Sequence, residues 1–166
     1  KLGEGKTEFL ATGNPGFLKI HAKGKAPQGS FEITDGKLNG EATVDLNSLD
    51  TGMSLRNQHM KEKYLETSKY PKAKLTIKNY QMPQGWKIAS PELNSIKVPA
   101  LITIHGEQKP VEVDLTLSEG AEMNAEFGLK ISDFKIGVPS FMGVTVADKV
   151  EVKITSQIEP VTNKAI

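Results

Sequence analysis

Met123-Asn124-Ala125-Glu126-Phe127-Gly128-Leu129-Lys130-Ile131-Ser132 sets an apolar side chain at every second position and a polar or small residue between. Successive side chains of a β-strand point to opposite faces of the sheet, so this segment predicts a strand with one face buried and the other in water. The pattern recurs on both sides. Val111, Val113, Leu115 and Leu117 interleave with Glu112, Asp114, Thr116 and Ser118, and Val150, Val152, Ile154 and Ile158 stand against Lys149, Glu151, Lys153 and Thr155. Nearer the amino terminus, Leu38, Gly40, Ala42, Val44 and Leu46 alternate with Asn39, Glu41, Thr43, Asp45 and Asn47. Weaker strands are expected over 7–11, 17–23, 74–80, 86–89 and 97–105. Turn-forming clusters separate these runs: Gly13-Asn14-Pro15-Gly16, Asp35-Gly36, Glu107-Gln108-Lys109-Pro110 and Ser118-Glu119-Gly120. Strands joined this tightly are antiparallel neighbours. About eight of them, polar on one face, can hide their edges by closing into a barrel or pairing as a sandwich, and a barrel of that size holds one small ligand.

The composition fits this class. The 166 residues are 37% hydrophobic and 25% charged, near the globular average and unlike a disordered, collagen-like or coiled-coil chain. No linker, composition shift or repeat divides them, so residues 1–166 are expected to form one domain. A formal charge of +1 creates no field to gather nucleic acid or an anionic membrane. The 6% aromatic content also argues against the exposed stacking platforms of single-strand binders. Cysteine is absent, which removes disulfides, thiol nucleophiles and cysteine metal sites. The longest apolar run is far short of the roughly 20 residues that span a bilayer. The start at Lys1, without Met or a signal-peptide core, is read as that of a mature or trimmed chain, and a removed signal would mean secretion or the periplasm.

One segment departs from strand periodicity. Ser54-Leu55-Arg56-Asn57-Gln58-His59-Met60-Lys61-Glu62-Lys63-Tyr64-Leu65 is rich in helix formers and free of Gly, Pro and Val, so a short inserted α-helix is expected over 54–65. At the α-helical angle, Arg56, His59 and Lys63 fall within roughly 60° of one another, with Leu55 and Met60 flanking them. Such a stripe could receive a carboxylate, a phosphate or a carbonyl-bearing headgroup, or it could satisfy carboxylates and carbonyls within the fold.

A second unusual segment is Asp133-Phe134-Lys135-Ile136-Gly137-Val138-Pro139-Ser140-Phe141-Met142-Gly143-Val144-Thr145-Val146, a long connection rich in large apolar residues. Phe134, Ile136, Phe141 and Met142 either plug the barrel end as core or line a portal for an apolar ligand.

Catalytic and metal motifs are not found. His21, His59 and His105 are far apart and occupy no ligand spacing, so no metal and no cofactor is expected. Gly3-Glu4-Gly5-Lys6-Thr7 imitates the end of a phosphate-binding loop, but no strand precedes it. No Gly-x-Ser-x-Gly elbow occurs, and nothing in the spacing joins acids, serines and histidines into a triad.

Several of these segments together resemble a known family. Ser48-Leu49-Asp50-Thr51-Gly52-Met53-Ser54-Leu55-Arg56-Asn57-Gln58-His59-Met60, then Lys63-Tyr64-Leu65 and Lys69-Tyr70-Pro71, are similar to the hallmark of the YceI-like family. So are Leu101-Ile102-Thr103-Ile104-His105-Gly106-Glu107-Gln108-Lys109-Pro110-Val111 and Ser132-Asp133-Phe134-Lys135-Ile136-Gly137, in the family's order, and the likeness runs over 37–158. The resemblance implies an all-β, lipocalin-like antiparallel barrel, usually periplasmic or secreted in bacteria. It also implies a long apolar ligand such as a polyisoprenoid, an isoprenoid quinone or a fatty amide. By the same resemblance Arg56, Asn57 and His59 match the family's polar cluster, and Phe134 its apolar lining near the mouth.

The expectation is therefore a non-enzymatic carrier: tail burial supplies most of the affinity, and a headgroup contact to Arg56, His59 or Tyr64 sets orientation. The alternatives are a barrel enzyme using His59 or His105 as acid or base, and a solidly packed interaction module. An open edge on either terminal strand could also pair two barrels into a homodimer.

Overall fold

The alternating segments become strands in a computed structural model, which describes residues 1–14, 19–86, 93–118, 121–137, 140–141 and 144–159. They are β1 (Leu2–Asn14), β2 (Lys19–Lys25), β3 (Gln28–Thr34), β4 (Lys37–Asp45), β5 (Lys72–Gln81), β6 (Leu93–Ile104), β7 (Glu107–Leu117), β8 (Glu122–Lys130), β9 (Ser140–Phe141) and β10 (Val144–Ile158). All pair antiparallel in one sheet of order β2-β1-β10-β8-β7-β6-β5-β4-β3, with the short β9 hanging on β10. The sheet curls upon itself into the expected lipocalin-like barrel with one short helical insertion, α1 (Ser54–Gln58).

Register explains the interior. Across β1, β10 and β8, Thr7 faces Ile154 and Ile154 faces Ala125; Phe9 faces Val152 and Val152 faces Phe127; Ala11 faces Val150 and Val150 faces Leu129. Directly opposed residues in an antiparallel pair share a face, so these rows stack on the concave side, while Glu8, Glu126, Glu151 and Lys153 stay on the convex, wet side. Each aliphatic side chain so buried stabilises the fold by roughly 1.5–3 kcal/mol at most.

Three departures from the sequence expectation have physical causes. First, β3 was not anticipated: its residues are largely exposed and Gly29, Ser30 and Glu32 blur its alternation, and its ladder to β4 defines it instead. Second, the β6–β7 turn is His105-Gly106, one step before the expected Glu107-Gln108-Lys109-Pro110, which lies inside β7. His105 and Gly106 both take left-handed backbone angles, φ 56° and 75°, the two-residue geometry that matches strand twist. Third, the first and last strands of the chain are interior, each flanked on both sides, so the sheet's edges are β2 and β3 and neither terminal strand offers an open edge. Of the strand expected over 86–89, Trp86 lies outside any strand and the rest falls outside the described residues.

The segment after β4 covers the outer edge of β2. Lys23 and Asp50 exchange backbone hydrogen bonds of 3.0 and 2.8 Å, and the Lys25 amide donates to Ser48 Oγ at 3.0 Å. Gly24 permits this approach, since a Cβ there would lie 2.9 Å from Ser48 Oγ and 3.0 Å from Leu49 Cδ2. The insertion that follows is α-helical over Ser54–Gln58 and then widens to a π-helical turn over His59–Tyr64, with the Leu65 amide donating to the Met60 carbonyl. Such widened turns recur at functional sites.

Candidate functional site

A cavity of about 550 Å³ opens inside the curled sheet, within the roughly 300–1,000 Å³ of small-ligand sites. Apart from Thr7 and Lys74 its strand wall is apolar: Phe9, Ala11 and Ile20, then Ala42, Val44 and Leu75, then Ile102, Ile104, Phe127 and Leu129, and finally Val146, Val150, Val152 and Ile154. These are the inward residues of the alternating segments, so period two positions them. A second wall is built by the insertion and its approach, through Leu46, Leu49, Thr51, Met53, Leu55, Arg56, His59, Met60, Lys63, Tyr64 and Leu65.

A hydrogen-bonded knot holds this second wall. The Thr51 amide and hydroxyl both donate to Asn57 Oδ1, at 2.7 and 2.6 Å, while Asn57 Nδ2 donates to Asp50 Oδ1 at 2.8 Å. The Gly52 amide donates to the same Asp50 oxygen at 2.8 Å. The Asn57 hydrogen bond, then the Gly52 amide, hold the Asp50 carboxyl below its ordinary pKa. Arg56 reaches back from the helix and donates from Nη2 to the Thr51 carbonyl at 2.7 Å.

The eleven residues singled out by sequence divide into three groups. Leu55, Arg56, His59, Met60, Lys63, Tyr64 and Ile136 lie on the cavity wall. Asn57 and Phe134 do not. Asn57 turns away because all its side-chain bonds go into the knot, and Phe134, 1% exposed, belongs to the packed core behind the wall. Phe134 starts no portal because it closes a 3-10 turn over Ile131–Phe134 that tucks its ring inward. The Phe141 side chain and Met142 lie outside the described residues.

His105 sits on neither wall. Its Nδ1 faces the Phe134 carbonyl at 3.0 Å, its Nε2 faces Glu66 Oε2, and its ring meets Tyr70 edge-on at 4.8 Å. Both nitrogen partners are acceptors. A Cβ at Gly106 would lie 2.9 Å from the Tyr70 ring, so the Lys69-Tyr70-Pro71 and His105-Gly106 motifs meet to make a structural joint. Leu65 and Ile104, which adjoin Glu66 and His105 in sequence, line the cavity, so the joint ties together chain segments that supply its wall.

Sequence reasoning did not nominate Phe9, Ala11, Ile20, Val44, Phe127, Leu129, Val150, Val152 or Ile154 as a site. Alternation marked Val44, Phe127, Leu129, Val150, Val152 and Ile154 as sharing one face of their strands, while Phe9, Ala11 and Ile20 lay in strands expected without it; a barrel's core and its cavity share one face, and periodicity does not tell them apart. Among the described residues no cluster of three or more His, Cys, Asp or Glu side chains could hold a metal.

Comparisons with known proteins agree with this architecture. The sequence model of a family described as YceI-like domain matches residues 8–158. A comparison with curated proteins gives no match. Among solved structures, Burkholderia cenocepacia BcnA is similar at 21% identity and TM-score 0.64, over 90% of this chain and 94% of that one. A polyisoprenoid binding domain from Saccharophagus degradans, described as implicated in plant cell wall breakdown, is similar at 16% identity and TM-score 0.67, over 93% and 94%. A Campylobacter jejuni YceI protein is similar at 18% identity and TM-score 0.53, over 84% and 86%. At these identities the likeness is one of fold.

Proposed function

The chain belongs to the YceI-like domain family, and from that premise we propose that residues 1–166, as a single domain, bind and carry a long apolar lipid-like molecule without altering it chemically. A polyisoprenoid, an isoprenoid quinone or a fatty amide has the required tail. The observation that carries this reading is the apolar strand wall around a cavity of about 550 Å³. A tail buried there gains roughly 0.8 kcal/mol per methylene, less the entropy of ordering it. The Saccharophagus degradans neighbour, by its description a polyisoprenoid binder, adds support for a tail of this kind. Arg56, His59, Lys63 and Tyr64 then meet the headgroup.

His59 on the wall is the observation that favours a second reading, a barrel enzyme acting on the same lipid. His105 offers that reading less, since both of its nitrogens face partners within the fold. The family resemblance supports a periplasmic or secreted location, which cell fractionation tests. Among the described residues no helix is long and apolar enough to cross a membrane.

The direct experiment is native mass spectrometry of the purified protein, followed by extraction and identification of the lipid. One unaltered lipid per chain is expected, and Ala11→Phe, which fills the cavity from β1, should abolish binding while the protein still melts cooperatively. A protein that stays lipid-free with every tail class offered would sink the carrier reading, and a chemically altered lipid would replace it with the enzyme.

A further inference from the structure

Arg56 is the one arginine among 21 basic side chains, and the fold sets it in the cavity wall. Its Nη2 is occupied by the Thr51 carbonyl, but its Nε is buried and has no hydrogen-bond partner in the protein. A buried N–H without an acceptor is destabilising, so folds keep such groups paired unless something else supplies the acceptor. None of the ion pairs among the described residues includes Arg56. The described cavity lining holds Arg56, His59, Lys63 and Lys74 and no aspartate or glutamate. Lys74 is already paired with Glu41 across β4 and β5 at 3.6 Å, whereas the Lys63 ammonium lies over the Tyr64 ring, 5.4 Å from its centre. Among the described residues, Arg56 and Lys63 thus bring positive charge to the wall with no ion pair to a carboxylate.

We propose that the ligand is a single-chain anionic amphiphile whose carboxylate or phosphate head is held by the Arg56 guanidinium, with Lys63 beside it. This deepens the carrier reading and rests on it, and it replaces the neutral quinone or amide head with a charged one. The planar guanidinium offers parallel N–H donors to two oxygens of one anion, and the apolar surroundings strengthen that attraction relative to water. A neutral carbonyl could accept the Nε proton but would leave the charge unanswered. Met53 and Leu55 are 56% and 54% exposed, which places Arg56 near the rim, where a charged head keeps part of its hydration while the tail passes inward.

The test compares three ligands with one sixteen-carbon chain: hexadecanoate, hexadecyl phosphate and hexadecanamide, titrated calorimetrically below their aggregation limits. Both anions are expected to bind roughly tenfold or more tightly than the amide. Arg56→Gln should cost the anions about that tenfold and shift the amide by less than about twofold, and Arg56→Lys should fall between because it keeps charge but loses the fork. Equal affinities of the wild-type protein for all three would overturn the anionic head and leave the carrier reading standing. An Arg56→Gln variant that weakens all three alike would instead make Arg56 a brace for Thr51. Binding of none would overturn the carrier reading as well.

Discussion

Arg56 lies on the cavity wall and His105 off it, and the two are held in opposite ways. His105 has an acceptor at each ring nitrogen and packs against Tyr70. Arg56 stands on the cavity side with one internal partner and a buried nitrogen that has none. Both fall in segments that resemble the family's by sequence, so resemblance alone does not separate them. What separates them is hydrogen-bond satisfaction: the partners of the His105 nitrogens all lie within the fold, whereas Arg56 Nε is left with a donor that the fold does not use.

The largest expected effect that would sharpen this contrast is at the centre of the His105 joint. Phe134→Ala removes a ring that is 1% exposed and should destabilise by about 3–5 kcal/mol, read as a fall in urea midpoint. Lipid selectivity measured on the folded fraction should not change. If the preference among heads moved instead, Phe134 would belong to the site after all. His105→Ala comes next: it strips the Phe134 carbonyl of its donor and the Tyr70 ring of its neighbour, for a loss of about 1–3 kcal/mol. Unchanged stability would show the joint to be ornamental, and the contrast with Arg56 would lose one side.

The smallest effect is one of pH. The His105 hydrogen bond, with help from Lys69, keeps the Glu66 carboxyl below its ordinary pKa. In the window below about pH 4.3 the unfolded chain therefore binds the Glu66 proton before the folded chain does. The contribution of this pair is present above that window and is lost as pH falls through the folded value. Glu66 is about one-third exposed, so solvent screens the pair and the slope should be shallow. Acid titration of Glu66→Gln, followed by circular dichroism, should show a flatter decline than the wild-type protein, and identical curves would remove the pair from the acid response.

Much of this molecule is readable from residue type alone, for identifiable reasons. The strands β4, β7, β8 and β10 follow from alternation because one face of each meets apolar neighbours and the other meets water. The inserted helix follows from a run of helix formers, although its widened second turn leaves no mark in composition. β3 escapes because an edge strand with an exposed outer half needs no alternation. The His105 turn escapes because nothing about histidine announces a left-handed backbone. In the site, helical spacing brought Arg56, His59 and Lys63 to one stripe, and all three reach the wall. The same spacing could not foresee that Asn57, one residue on from Arg56, spends its amide on Asp50 and Thr51. Such pairings are made by loops folding back, and loops carry no period.

The clasp between Lys23 and Asp50 has a mechanical consequence. A tube bears an outward push as tension around its circumference, and tension in series finds the joint with the least holding it. Among the described residues, the joint on the outer edge of β2 has two backbone hydrogen bonds and one to Ser48, and the ladder between β5 and β6, with three registered pairs, is also short. Strain from an oversized guest would fall first on such short joints, and the one where Asp50 meets Lys23 leads directly into the segment bearing Arg56. The closure of the tube and the position of its only arginine thus meet at one seam.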